Sequence, residues 1–420
     1  MGVRRPIEGL TLRPNRRTLL LGAGSMLALG GCAVGGMDGP AATTALSPGD
    51  NSADQPARPP QATVKVAMLL PLSGHGQSAA IAKGMKQAGE LALFDRDDGS
   101  FQLVVLDDKG TPDGARAAAD QAIKDGAELL LGPLFAANVT AAAGPARAAR
   151  VPLIAFSNDR QVAGSGAYVI GHLVETEVDR VVSYAIAQGR RRIAALIPDE
   201  PYGHLAEAAL KAAAQRDGGT IVALQRFPRA ANGMLDPARQ LGLALRELET
   251  GGQPAQALFV PGDPELLAQL APLMTYAGIE TSGLKILGTG AMDQPGLGRE
   301  KRYIGAWFAA PDPKGWREMN TQFANTFGTA PPRIAALAYD AVGLAVTLSK
   351  GAPGNRFSPE NLTRTSGFNG VDGLLRLSPQ GLPTRSLAVL EVQDFGATVV
   401  DTASAPLTSA VTDGASVRLN

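Results

Sequence analysis

From residue 64 onward the chain alternates between two apolar patterns. Val64–Leu72 is an apolar run with β-branched residues, as expected of a strand covered on both faces. Gln77–Phe94 follows, with Ile81, Met85, Ala88 and Ala92 on one stripe, the period of a helix that buries one face. The couplet then repeats. Phe101–Asp108 reads as strand and Pro112–Asp125 as helix, with Thr111 as N-cap and Pro112 in the first turn, where its missing N–H costs nothing. Glu128–Pro133 (strand), Ala136–Ala149 (helix) and Val151–Ser157 (strand) complete a first run. After a break the rhythm resumes. Strands are predicted at Arg191–Asp199, Thr220–Phe227, Ala255–Pro261 and Leu284–Gly288, and helices at Glu175–Gln188, His204–Arg216, Pro237–Glu249 and Pro264–Ala277.

Two successive strand–helix runs predict an α/β fold of two doubly wound parallel-sheet lobes, with helices on both faces of each sheet because the crossovers are right-handed. The later chain breaks the rhythm. Lys314–Phe327 and Ile334–Lys350 are long helices. Val371–Leu377 and Leu387–Val392 are strands, and the turn-rich Ser378–Pro383 between them predicts an antiparallel hairpin.

The segment before residue 63 has a different character. Arg4, Arg5, Arg13, Arg16 and Arg17 precede the apolar run Leu19–Leu29, which ends in Leu29-Gly30-Gly31-Cys32. The run is too short to cross a bilayer of ~30 Å and reads as an export signal over residues 1–31. Small residues before Cys32 resemble a lipobox, so Cys32 is the expected lipidation site and the first residue of the mature chain. Asn15-Arg16-Arg17-Thr18-Leu19-Leu20 resembles a twin-arginine signal, and both it and the general export route stay open. Residues 32–62 are rich in Gly, Pro, Ala, Ser and Thr and read as a flexible tether. Residues 403–420 read as a tail. The expected location is the periplasm, lipid-anchored to the inner or the outer membrane.

Composition removes several function classes. Basic and acidic residues are equal at 39 each, so nothing favours a nucleic-acid partner, which needs a basic surface. Cys32 is the single cysteine, and no intrachain disulfide is possible. His75, His172 and His204 are dispersed without metal-ligand spacing. Gly164-Ser165-Gly166 lacks the nucleophile-elbow frame, and no phosphate-binding Gly-Lys-Ser/Thr loop occurs. The sequence therefore predicts a protein that is not an enzyme and implies no cofactor.

Open parallel sheets bind ligands beyond the carboxyl ends of their strands, where helix N-termini also offer free N–H groups. Those ends carry Ser73, Ser157, Asn158, Tyr202 and Asp263, the candidate ligand contacts. His75 and His204 fall in the same set of loops. Asp107-Asp108-Lys109 reads as a solvated strand end, and Trp307 and Trp316 as packing near a crossing between lobes.

Five stretches in order carry a family resemblance: Val66–Gly74, Leu131–Phe135, Val151–Ser157, Asp199–Gly203 and Ala338-Tyr339-Asp340-Ala341. The chain resembles the type 1 periplasmic binding proteins of the leucine/isoleucine/valine-binding class, and within it the penicillin-binding-protein activator branch. The resemblance implies one domain over 63–402 whose lobes are joined by a three-crossing hinge. Lobe 1 would hold about 63–172 and 311–365, and lobe 2 about 173–310 and 366–402. A small molecule would sit in the interlobe cleft, with Ser157 and Asn158 at its carboxylate and Tyr202 stacked on it. Two positions depart from the amino-acid pattern. Leu134-Phe135-Ala136-Ala137 supplies no hydroxyl, and the acid expected near Gly288–Met292 is not met until Asp293. Two functions follow: a receptor for small polar or amino-acid-type ligands that serves an ABC permease, or an activator that contacts a penicillin-binding protein and regulates peptidoglycan synthesis.

Overall fold

The computed structural model describes residues 63–402 apart from 97, 98, 100, 231 and 295. The expected export signal, Cys32, the tether and the 403–420 tail lie outside the described residues.

The first run folds as β1 (Val64–Leu70), α1 (Gln77–Arg96), β2 (Phe101–Asp107), α2 (Pro112–Lys124), β3 (Leu129–Leu131), α3 (Ala136–Ala149), β4 (Leu153–Ala155) and β5 (Ala167–Val169). Thr111 caps α2 by accepting the Gly114 N–H, with Pro112 in the first turn. The strands form a parallel sheet in the order β2-β1-β3-β4-β5. Both faces of β1 are buried. Val66, Met68 and Leu70 point into one core with α1, and Ala67 and Leu69 into another with α2 and α3. That two-sided burial is why the run is apolar without alternation.

The chain then crosses to α4 (Val174–Ala187), β6 (Arg192–Pro198), α5 (Pro201–Asp217), β7 (Thr220–Phe227), α6 (Leu235–Thr250), β8 (Ala257–Phe259), α7 (Pro264–Tyr276), β9 (Lys285–Gly288) and β10 (Trp307–Ala310). It returns as α8 (Pro313–Phe327), α9 (Ala335–Ser349), α10 (Pro359–Leu362), β11 (Phe368–Gly370), β12 (Gly373–Leu377) and β13 (Pro383–Arg385). It ends in β14 (Ala388–Val392) and β15 (Ala397–Asp401). The second large sheet has the order β15-β14-β10-β9-β8-β6-β7. It is parallel from β10 to β7, and β14 and β15 add antiparallel strands at one side.

Three expectations change. The hairpin between 371–377 and 387–392 does not form: β12 pairs with β11 and β13, whereas β14 pairs with β10 and β15. The turn at Ser378–Pro383 does reverse the chain, but into the short β13. Alternate residues of β14 reach opposite cores, Ala388, Leu390 and Val392 into one and Val389, with Leu387 just before the strand, into the other, and a strand buried on both faces needs the large sheet. The lobe border near 366 also moves. Phe368, Val371, Leu375 and Leu377 share a core with α1 and α9, so residues to β13 pack on lobe 1 and the last crossing lies at Ser386–Leu387. Finally, β5, β10, β11, β13 and β15 go unread in the sequence: each is three to five residues long, too short to show a period alone, and none falls in the strand–helix rhythm that marks the equally short β3, β4 and β8.

Candidate ligand-binding cleft

A cavity of about 580 Å³ lies between the two lobes at the carboxyl ends of their strands. Lobe 1 lines it with Leu134 and Phe135 after β3, with Ser157 and Asn158 after β4, and with Arg333 and Asp372. Lobe 2 contributes Glu177 on α4, Tyr202 in the first turn of α5, and the Thr289–Asp293 segment after β9. His172 and Pro311 come from two of the crossings.

The polar organisation centres on Asp372, whose side chain is fully buried. It pairs with His172 Nε2 at 3.0 Å and accepts both terminal guanidinium nitrogens of Arg333, at 3.2 and 2.7 Å. Burial alone would raise its carboxyl, but the His172 contact and the Arg333 charge overcome it and hold the group well below the usual carboxylate range. Arg333 also lies over the Trp316 ring, 4.8 Å from its centroid, a cation–π contact that fixes its plane. Behind this pair Asp340 accepts the Val371 N–H at 2.6 Å and Arg385 at 3.1 Å, and Arg385 donates to the Ile170 carbonyl. This second pair ties α9 to the β11–β12 link and to the first crossing, so it fastens the hinge side of the cleft.

Lobe 2 presents acids. Glu177 is half-buried, lines the cleft and accepts the Gly290 N–H at 2.8 Å. A Cβ on Gly290 would stand 2.8 Å from its carboxylate, so only glycine permits this approach. Burial raises the Glu177 carboxyl, against the His172 charge and the Gly290 hydrogen bond. Asp293 is likewise raised by burial, with the Arg333 charge opposing. Tyr202 shares a 2.8 Å hydrogen bond with Thr289 Oγ1, and burial pushes its phenol up, so it stays neutral. The result is a guanidinium and an imidazole, both held by the ionised Asp372, on the lobe 1 and hinge side, facing two carboxyl groups and a phenol on the lobe 2 side.

Of the residues singled out in the sequence, Ser157, Asn158 and Tyr202 meet in this cavity, and so does the displaced acid Asp293. Ser73 and Asp263 do not. The loop after β1 turns toward β2, and the Ser73 N–H bonds the Asp107 carboxylate at 3.2 Å. Asp263 caps α7 by accepting the Leu266 N–H and pairs with Arg229. Both strand ends are committed to local structure. His75 and His204 are also outside the lining; His204 pairs with Asp199 at 2.7 Å. The cleft histidine is His172. The residues that sequence reasoning missed, His172, Glu177, Arg333 and Asp372, sit near crossings or on a helix flank, where no local pattern marks them. Among the described residues no group of three or more His, Cys, Asp or Glu side chains could hold a metal ion.

Residues 63–398 match the family model described as periplasmic binding protein. The chain belongs to the periplasmic binding protein family. No curated protein sequence matches it. Solved structures of similar fold include a putative branched-chain amino acid ABC transporter protein from Rhodospirillum rubrum (TM-score 0.69, 19% identity, covering 80% of this chain and 100% of that one). A solute-binding protein of an ABC transporter from Rhodopseudomonas palustris, in complex with 3,4-dihydroxybenzoic acid, gives 0.58 at 20% identity over 82% and 99%. A branched-chain amino acid transporter substrate-binding protein from Streptococcus pneumoniae, in complex with isoleucine, gives 0.56 at 18% over 81% and 99%. At these identities the likeness shows the fold. The two lobes and the cleft at the strand ends of this periplasmic binding protein are that fold's arrangement.

Proposed function

We propose that this periplasmic binding protein is the non-catalytic receptor of an ABC importer, and that its ligand is a small polar molecule of amino-acid type. One observation carries the proposal: the cleft sets Arg333 and His172 on one side against Glu177 and Asp293 on the other. A ligand with a carboxylate at one end and an ammonium at the other matches both sides, and charge-assisted hydrogen bonds make that match selective. Solute-binding proteins of the same fold are seen with isoleucine and with an aromatic carboxylic acid, which supports a carboxylate on the ligand. Ser157 and Asn158 lie where backbone and side-chain donors would share that carboxylate, and Tyr202 supplies an apolar wall. Movement of the lobes about the three crossings would bury the ligand and present a closed shape to a permease. In this reading the protein resides in the periplasm, and the Leu29-Gly30-Gly31-Cys32 segment anchors it through a lipid on Cys32.

A thermal-shift screen of the protein against the amino acids tests the proposal. A ligand at a hundredfold excess over Kd stabilises by ~2.7 kcal/mol, and the gain should vanish in Arg333→Gln. A flat response to every amino acid would falsify the receptor assignment. A second reading, an activator that contacts a penicillin-binding protein, draws on the absence of a hydroxyl in Leu134–Ala137 and on the exposure of Phe135 at the cleft mouth. Capture of such a synthase by a protein that binds no amino acid would favour it.

A further inference from the structure

A second cavity, of about 610 Å³, lies on lobe 1 at the opposite edge of the first sheet. It is bordered by the residues that enter β3, β4 and β5 (Ala127 and Glu128, Val151 and Pro152, Ser165 and Gly166), at the amino ends of the strands. It shares no residue with the interlobe cleft. Its apolar wall includes Tyr168, Phe357 and Leu362. Its charged lining is three arginines, Arg147, Arg150 and Arg356, against one acid, Glu128.

Arg356 is the distinctive residue. It is only 6% exposed, yet its guanidinium is poorly committed. One terminal nitrogen donates to the Ser349 carbonyl at 3.3 Å. Its Nε lies 3.3 Å from the Glu128 carboxylate but out of line, and has no hydrogen-bond partner. A buried donor left open costs free energy of desolvation, and native proteins rarely leave one. Arg147 and Arg150 stand in and just after the last turn of α3, where positive charge suits the helix dipole. That role leaves their N–H groups uncommitted, and neither makes a side-chain hydrogen bond among the described residues. Three guanidinium groups and one carboxylate leave two positive charges beside an aromatic and aliphatic wall.

We propose that this cavity binds a small organic dianion, a phosphate monoester or a dicarboxylate, whose apolar body rests on Tyr168 and Phe357. Arginine forks match the planar oxygens of both anions, and such a ligand would satisfy the open donor of Arg356. The site is independent of the interlobe cleft and of what binds there.

Calorimetric titration of the full-length chain with phenyl phosphate and with isophthalate, each beside uncharged benzyl alcohol, tests the assignment. At least one dianion should bind and the alcohol should not. Arg147→Gln and Arg150→Asn are exposed substitutions that keep the fold even if Arg356→Met does not, and each should weaken the dianion about tenfold. Neither should alter the amino-acid response of the cleft. Absence of binding by both dianions overturns the proposal. So does binding that survives both arginine variants, or that is lost in Arg333→Gln, which would place the anion in the cleft.

Discussion

Asp372 shows how much one side chain can organise. It is buried, and His172 and Arg333 both depend on it for their placement. Asp372→Asn would take the paired counter-charge from Arg333 and leave only the nearby Asp293 and Asp340 charges. Removing one partner of a buried pair costs about 3–5 kcal/mol, and the low end applies because Arg333 keeps a third of its side chain in solvent. Urea unfolding near pH 7 should show that loss, with amino-acid binding weakened in the same variant. Because the folded carboxyl is held below its unfolded value, its contribution is present above ~3.9 and is lost only as pH falls through the folded value. The deficit should therefore persist across the neutral range and narrow only in strong acid. Glu177 works in the opposite sense. Burial raises it, so its contribution is complete below ~4.3 and is lost as pH rises through the folded pKa. Glu177→Gln keeps an acceptor for the Gly290 N–H and removes the buried charge. Its Tm should exceed that of the parent at pH 8, by on the order of 1 kcal/mol in stability, and converge with it toward pH 4. A scanning-calorimetry series in which the gap between variant and parent does not close as pH falls would refute the account of Glu177 as a destabilising binding group.

The elements hold these residues through close approaches that glycine permits. Gly84 faces Pro332, whose ring atoms would stand 2.4 Å and 2.7 Å from an added Cβ. Pro332 immediately precedes Arg333, so the contact between α1 and the start of α9 sets where the guanidinium enters the cleft. Gly84→Ala should cost about 1–3 kcal/mol as an overpacked core contact. It should also weaken ligand binding although residue 84 does not line the cavity. An alanine variant with unchanged affinity would show that Arg333 is positioned by Asp372 and Trp316 alone. The long elements were legible in the sequence because a helical stripe or an apolar run repeats enough to be seen. Thr111 and Pro112 marked the start of α2 correctly for the same local reason. Among the short strands β5, β10, β11, β13 and β15 were not legible, and β14 was read as a strand but with the wrong partner. β13 and β14 differ in partner, not in local chemistry, and the turn before them fits a hairpin equally well.

At the scale of the molecule, three crossings at about 170–173, 311–312 and 386–387 join the lobes, and His172 and Pro311 in two of them line the cleft. Ligand that bridges the lobes should favour the closed arrangement. Small-angle scattering should then show a smaller radius of gyration with a bound amino acid than without it, and Arg333→Gln should abolish the change. An identical radius in both states would mean that ligand binds without closure.

The sequence by itself determined the α/β rhythm, the two large sheets and the capped start of α2, because burial period and capping are local properties of a few consecutive residues. It also brought forward Ser157, Asn158 and Tyr202, since strand ends followed by helices can be read along the chain. Only the tertiary structure decided that Ser73 and Asp263 stand outside the cleft. It alone placed His172, Glu177, Arg333 and Asp372 around one cavity, and attached residues 366–385 to lobe 1. Those outcomes rest on contacts between segments as far apart as His172 and Asp372, two hundred residues along the chain. Which of many possible partners a buried charge meets is fixed by packing, and no local pattern encodes it.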